Sequence, residues 1–210
     1  MNSSSRALSY YLSRIFICIL ILATFYFLLV HAFPRFIYSE KTYGEYYWPR
    51  APWLLTHVVF GVIAILTGPF QFAELLRNKY LKLHRMLGKI YLVSTMLAAI
   101  SAVYLAVTSA ITPWYEYGLI VGALIWIYTG TTAYIHIRNL RTELHRQMMI
   151  RNYVVTFFFI IFFGIYDLFV YTGTDPYNSA MLSVLPWACL FIPLGITEYI
   201  IRKRKRKQGQ

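Results

Sequence analysis

Cysteine is scarce in this chain, and the short motifs of soluble enzymes are missing. The two cysteines, Cys18 and Cys189, fall in different apolar runs at different expected depths, so neither a disulfide nor a cysteine metal site is predicted. No glycine-rich phosphate loop, nucleophile elbow or zinc-protease helix occurs. The longest stretches between apolar runs, residues 34–52 and 73–89, leave no room for a soluble domain.

Charged residues make up only 13% of the chain, whereas hydrophobic residues make up 59%. The hydrophobic residues form six runs of about 18 to 22 residues, and as helices such runs would cross the roughly 30 Å hydrocarbon layer of a bilayer. We therefore predict an all-α, polytopic bundle of transmembrane helices. The first run is longer than the apolar core of a signal peptide, which favours a retained anchor. The predicted spans are residues 15–33, 53–72, 90–111, 117–136, 154–171 and 180–201.

The basic residues lie on alternate loops between these spans. One side of the membrane receives all but three of the 20 lysines and arginines. By the positive-inside rule that side is cytoplasmic, so both termini are predicted to be cytoplasmic. The predicted outer side holds Arg35, Lys41 and Arg50, together with many aromatic residues typical of a membrane interface.

A net charge of +12 in a soluble chain would suggest a nucleic-acid partner. Here the excess lies beside the membrane, where anionic headgroups attract basic side chains. We therefore predict contact with anionic lipid headgroups and no nucleic-acid binding. The predicted organisation is a cytoplasmic N-terminus at 1–14, a six-span membrane domain at 15–201 and a basic cytoplasmic tail at 202–210, with the oligomeric state left open.

A His-Arg pair is repeated at the predicted cytoplasmic start of two spans. His84-Arg85 precedes the third span and His145-Arg146 precedes the fifth, and a second basic residue and a tyrosine follow each pair. The repeat predicts two parallel hairpins, spans two with three and spans four with five. These hairpins would form a four-helix core flanked by the first and sixth spans.

The repeated histidines are candidate ligands of a b-type haem. Two histidines that face each other across a bundle can ligate haem iron, while neighbouring arginines neutralise the propionates. The leading hypothesis is therefore an electron-transfer or redox-sensing module with His84 and His145 as ligands, and Gly88 leaves room for a flat macrocycle one turn beyond His84. The other residues assigned to this site are Arg85, Arg146 and Arg151 beside the propionates and Gln71 as a hydrogen-bonding partner.

Two other functions fit the polar residues. In the first, the His-Arg pairs bind lipid or substrate phosphate in a non-enzymatic membrane component or small-solute carrier. In the second, His31, His57 and Asp167 near the outer face form a zinc site with an open position for hydrolysis. The sequence does not decide among the three functions, and it identifies neither a redox partner nor a substrate.

Four ordered motifs between residues 53 and 163 resemble a known family. The motifs are HVVFG from His57, GPFQF from Gly68, LHRMLGKIY from Leu83 and HRQMMIRNY from His145, and their spacing matches as well. In these motifs the chain is similar to the predicted membrane protein family called domain of unknown function 2306.

This resemblance implies a polytopic protein of the bacterial cytoplasmic membrane, from a family without an assigned activity. The family's histidine placement is similar in style to that of transmembrane b-type cytochromes and ferric reductases, which is an analogy of fold alone. Family members often carry an arginine within the fifth span. This chain has none in its aromatic run at 157–163, so no role for that arginine is carried over.

Overall fold

The computed structural model describes residues 3–208, with side chains described for residues 10–207 except residue 13. Residues 1, 2, 209 and 210, at the ends of the two predicted terminal segments, lie outside the described residues. Within residues 3–208 the backbone is almost entirely helical, and no strand is present. The helices are α1 (Ser3–Phe27), α2 (Glu40–Tyr47), α3 (Ala51–Phe72), α4 (Glu74–Lys79), α5 (Leu81–Val107), α6 (Pro113–Arg138), α7 (Thr142–Thr156), α8 (Phe158–Tyr171) and α9 (Ser179–Gln208).

Six helical stretches of the described chain are long and apolar enough to cross a membrane. The predicted all-α, six-span architecture is thereby confirmed. The helices extend beyond the apolar runs: α5 begins at Leu81 instead of residue 90, α7 at Thr142 instead of residue 154, and α9 continues past residue 201 into the predicted tail. Arginine, lysine and glutamine favour helix, so the helices do not stop where the hydrophobic residues stop.

The core consists of α3, α5, α6 and α7, each packed against the next. Helix α7 also contacts α3 and closes the ring, so α5 and α7 face each other diagonally across the core. Helix α9 packs outside the ring against α6, α7 and α8. Helix α1 touches α8, and the π-helical turn Leu28–Ala32 that follows α1 touches α3. The predicted hairpin core with flanking first and last spans is confirmed.

Short turns join the core helices, so neighbours run antiparallel and the diagonal helices α5 and α7 run parallel. Residues 108–112 connect α5 to α6, and residues 139–141 connect α6 to α7. We call the end of the bundle where α1 begins and α9 finishes the basic end, and it also holds α4 and the starts of α5 and α7. The opposite end, formed by residues 28–50, 108–112 and 172–178, is called the aromatic end.

A network of buried side chains ties three core helices together. Asn152 on α7 is fully buried and accepts a hydrogen bond from the Tyr91 hydroxyl on α5 (2.7 Å). Its amide nitrogen donates to the Trp126 carbonyl (2.7 Å) and the Thr129 hydroxyl (2.9 Å) on α6. The Thr156 hydroxyl on α7 accepts from the indole of Trp126 (3.1 Å). The Asn152 amide is therefore fully hydrogen bonded, as a polar group inside a membrane bundle has to be.

The fifth span consists of two successive helices rather than one. Helix α7 ends at Thr156 and α8 begins at Phe158, with Phe157 between them. The Thr156 hydroxyl donates to the backbone carbonyl of Asn152 one turn earlier (3.1 Å), and a bond of this kind bends a helix. The second half of the span, α8, then lies against α9 and α1.

Glycines on α6 permit close contacts with three neighbouring helices. A Cβ at Gly130 would lie 2.9 Å from Met96 Cε on α5 and 3.2 Å from Asn152 Nδ2 on α7. A Cβ at Gly118 would lie 2.8 Å from Pro186 Cβ on α9. Small residues let helix backbones approach in lipid, where no hydrophobic effect drives helices together.

Arg50 is buried at the aromatic end, although the sequence places it between two spans. Its guanidinium donates to the Thr108 carbonyl at the end of α5 (2.6 Å) and to the Tyr46 carbonyl, and it lies 4.0 Å above the Tyr46 ring. The Tyr46 hydroxyl donates to the Ser109 carbonyl. These bonds satisfy carbonyls that the end of α5 leaves open, and they fix α2 over the bundle.

Replacing Gly68 with alanine should destabilise the protein, because the added methyl group would overlap the Tyr153 ring. Overpacking of this kind costs about 1–3 kcal/mol and should lower the midpoint of thermal unfolding in detergent. Gly61→Ala on the same helix is the matched control, because a Cβ there meets no described atom within 4 Å and alanine favours helix. Equal unfolding midpoints for the two variants would contradict the close contact between α3 and Tyr153.

Candidate functional site

The two repeated histidines lie on the parallel helices at the basic end. His84 is the fourth residue of α5 and His145 is the fourth residue of α7. Each lies seven residues, about two turns, before a residue of the buried network, Tyr91 in α5 and Asn152 in α7. Each histidine therefore shares a helix face with its network residue. Because Tyr91 and Asn152 are hydrogen bonded, the two histidines lie at a similar depth, and they are close enough to interact electrostatically.

Hydrogen bonding distinguishes the two imidazoles. His145 Nδ1 donates to the Ala133 carbonyl on α6 (2.8 Å), which orients the ring and leaves Nε2 available as an acceptor or ligand. His84 Nδ1 is buried and has no hydrogen-bond partner among the described atoms. A buried ring nitrogen without a partner is unusual in a folded protein and is a reason to look for a ligand.

The surroundings of His84 are positively charged. The His84 imidazole is close enough to interact electrostatically with His145, Arg77 and Arg85. Arg77 and Arg85 are basic residues of α4 and α5 at the same end of the bundle. A ligand that carries negative charge would therefore be favoured beside His84.

The Gln71 side chain of α3 packs against Gly88 of α5. Gly88 lies one turn after His84, and a Cβ there would be 2.8 Å from Gln71 Oε1. The Gln71 side chain thus occupies the space beside Gly88 that we predicted to be open for a flat macrocycle. The Gln71 Nε2 atom is buried and, in the described part of the chain, lacks a hydrogen-bond partner. The Gln71 side chain could therefore rotate away without breaking a hydrogen bond of its Nε2 atom.

Two of the arginines predicted beside propionates have carboxylate partners instead. Arg146 binds Glu143 through Nε (3.0 Å), and Arg151 binds Glu198 on α9 through Nη2 (2.5 Å). Arg85 is exposed and interacts with His84 only electrostatically. The structure therefore places Arg85 and His145 within electrostatic reach of His84 and Gln71 against Gly88, one turn away, and it directs Arg151 toward α9.

The predicted outer residues separate into two places. His31 Nε2 donates to Asp167 Oδ2 (2.7 Å), and the Tyr26 hydroxyl donates to the same oxygen (2.9 Å). The His31 ring stacks on Phe163 with 4.1 Å between ring centroids. His57 is elsewhere and donates from Nδ1 to the Ala98 carbonyl (2.9 Å). Among the residues that the structure describes, no three His, Cys, Asp or Glu side chains form a group that could hold a metal ion.

The sequence motifs led to no prediction of the buried network. Tyr91 and Asn152 occur in the same two motifs as the histidines, seven positions later in each motif. That common spacing was a detectable signal, because equal steps on parallel helices bring both pairs to matching depths. Thr156 carries the same signal, because it lies eleven residues after His145 as Thr95 lies eleven residues after His84. Trp126 has no counterpart at the matching position of the other hairpin.

The fold and the paired histidines define a polytopic helical membrane protein with a polar site at one end of a four-helix core. Residues 54–201 match the model of the family described as predicted membrane protein (DUF2306), so the chain belongs to that family. The family resemblance of the four motifs is confirmed, and the matched region also includes the sixth span. No curated protein and no solved structure matches the chain.

Replacing Tyr91 with phenylalanine should lower the free energy of unfolding by about 1–2 kcal/mol, because the side-chain oxygen Oδ1 of Asn152 would lose its buried donor. Thr67→Val is the control, since the Thr67 hydroxyl bonds to the Ile63 carbonyl of its own helix. In a double-mutant cycle, Tyr91→Phe and Asn152→Ala should be coupled by about 0.5–2 kcal/mol. Additive effects would contradict the cross-helix bond.

Replacing Asp167 with alanine should loosen the attachment of the first span, because His31 and Tyr26 would both lose their acceptor. Hydrogen exchange of backbone amides in residues 28–36 should then accelerate about tenfold. Asp175→Ala in the following loop is the control, because its side chain bonds only to the nearby Tyr177 amide. Unchanged exchange in the Asp167 variant would show that this cluster does not hold the span.

Proposed function

We propose that this protein is a membrane electron-transfer or redox-sensing module that binds a b-type haem at the basic end of its core. His84 and His145 are the residues that would hold the haem iron. The observation that carries the proposal is the pairing of their helices: both histidines lie two turns from residues that are hydrogen bonded to each other across the core. Ligands at one depth on parallel, diagonal helices suit a macrocycle held between them.

The donor atoms fit this use. His145 Nδ1 donates to a backbone carbonyl, as metal-ligating histidines commonly do, which leaves Nε2 for iron. His84 presents a buried nitrogen that has no partner in the described chain. Entry of a flat ring beside Gly88 requires the Gln71 side chain to rotate, and Gln71 would then be placed to donate a hydrogen bond to the bound group.

A bound haem would supply one-electron chemistry, with a potential set by its axial ligands and the polarity of the pocket. The chain's own residues have defined parts in this proposal. Ala133 holds the His145 ring in place through its carbonyl. Arg85 would provide positive charge for the propionates near His84, and Arg77, which is also paired with the exposed Glu74 carboxylate (3.5 Å), would add to it. The buried network of Tyr91 and Asn152 holds the two ligand helices at a fixed separation.

We further infer that both termini face the cytoplasm of a bacterial cell and that the basic end lies at the inner leaflet. The support is the distribution of charge, since all but three of the 20 basic residues belong to the basic end or to the segments that lead to it. Under this proposal, haem at the histidine pair would lie within reach of a cytoplasmic redox partner.

The absorption spectrum of the purified protein tests the haem proposal. Protein produced with ample haem should show a Soret band and a reducible α band in detergent, and His84→Ala and His145→Ala should each lose them. His136→Ala is the matched control, because His136 also has a buried Nδ1 without a partner in the described chain but lies on α6. Colourless protein under these conditions, or equal loss in all three variants, would overturn the proposal.

A small-solute or lipid-phosphate site is the second candidate for the same pocket. The observation that favours it is the Gln71 Nε2 donor beside His84 in a positively charged corner, an arrangement that suits a phosphate group. In this case the protein would remain colourless, and inorganic phosphate or a phosphorylated solute would raise the unfolding temperature of the wild type but not of His84→Ala. A Soret band that depends on both histidines would exclude this use.

A further inference from the structure

A second charged site lies between α7 and α9 at the basic end, on the outside of the core. A small cavity open to the surface is lined there by Arg146 and Gln147 of α7 and by Ile201, Arg204 and Lys205 of α9. The cavity exists because α9 continues as a helix through the basic segment that the sequence presented as a tail. Regular helical spacing directs Arg204 and Lys205 toward α7.

Positive charge exceeds negative charge in this cavity. Glu143 is its acidic lining residue, and it is already engaged by Arg146 (3.0 Å) and Gln147 (2.8 Å). Lys205 is close enough to interact electrostatically with Glu143 across the helix pair. Arg204 is exposed at the rim. The balance of charge favours an anion with oxygen acceptors.

A further unsatisfied donor lies deeper between the same two helices. Arg151 is one turn beyond Gln147 and uses Nη2 and Nε to bind Glu198. Its Nη1 atom is buried and finds no hydrogen-bond partner in residues 10–207. Glu198 is shared with Arg202 (2.8 Å), so one carboxylate serves two guanidinium groups. Donor capacity therefore remains unused one turn from the cavity, between the same two helices.

The apolar surface next to the cavity identifies the source of the anion. Ile196 and Ile200 of α9 are exposed, and they form a row along the helix that leads one turn later to Arg204. The charged lining of the cavity and the apolar surface of α9 thus meet where the span ends, which is the level of the lipid headgroups. We propose that this groove between α7 and α9 binds the phosphate of an anionic phospholipid, whose acyl chains lie along the exposed side of α9.

This inference does not depend on the histidine pair. Basic pockets between helices at a membrane boundary bind anionic headgroups more selectively than a diffuse basic tail does. Phosphate oxygens would meet Arg146, Arg204 and Lys205, which line the cavity. The remaining basic residues of α9, such as Arg206 and Lys207, do not line the cavity.

Lipid binding to two double variants with the same change in charge tests the proposal. The full-length protein in detergent is titrated with phosphatidylglycerol or phosphatidylcholine, and binding is measured by native mass spectrometry and by the shift in unfolding temperature. Arg204→Gln/Lys205→Gln should weaken binding of phosphatidylglycerol about tenfold. The matched control, Arg206→Gln/Lys207→Gln, should retain binding close to that of the wild type.

One further variant and one competitor sharpen the result. Glu143→Gln removes a negative charge from the cavity and should strengthen phosphatidylglycerol binding, which a merely structural role of Glu143 would not do. The haem proposal is tested by the Soret band of His84→Ala and this proposal by lipid binding of the α9 double variants, so failure of one is distinguishable from failure of the other. Inorganic phosphate should not displace the lipid, because the acyl chains contribute to binding.

Three outcomes would overturn the proposal. Equal weakening by the two double variants would show diffuse attraction to a basic segment rather than a built site. Complete displacement by inorganic phosphate would show a site for soluble anions. Equal affinity for phosphatidylglycerol and phosphatidylcholine would show that the groove does not recognise the negative charge of the headgroup. Circular dichroism of each variant establishes that the helices are retained.

Discussion

The hydrogen bond between Tyr91 and Asn152 is the interaction on which the rest of the structure depends. It joins the two parallel helices of the core across the diagonal, where the helices have few other means of fixing their relative depth. Apolar side chains pack almost equally well after a small slide in lipid, whereas an amide that loses its partners is costly. The bond therefore sets the register of α5 against α7, and with it the relation of the two histidines.

The same network explains why function is expected at the basic end. Towards that end the core helices carry histidine, glutamine and arginine instead of the alanine and aromatic residues that fill the middle. Several of these polar atoms lack partners in the described structure, among them His84 Nδ1, Gln71 Nε2 and Arg151 Nη1. The buried polar groups at the centre of the core are hydrogen bonded, whereas several at the basic end are not. This arrangement is typical of a rigid scaffold that holds a ligand site.

The sequence predicted the six spans and the hairpin core because apolar runs and a repeated His-Arg pair are strong local signals. It placed the helix starts too late, since Leu81 and Thr142 begin helices within polar segments that propensity favours but hydropathy does not. It could not pair His31 with Asp167 and separate both from His57, because side-chain direction at the end of a bundle depends on helix rotation. The carboxylate partners of Arg146 and Arg151 were likewise hidden, since they require the packing of α9 against α7.

Cross-linking of the two histidine positions tests the central claim most directly. His84→Cys and His145→Cys would be introduced together into a chain whose Cys18 and Cys189 are replaced by serine, and membranes would be treated with a bismaleimide that has a short flexible spacer. We expect an efficient link within one chain between positions 84 and 145. Cysteines that each react singly, from opposite faces of intact vesicles and without forming the link, would contradict it.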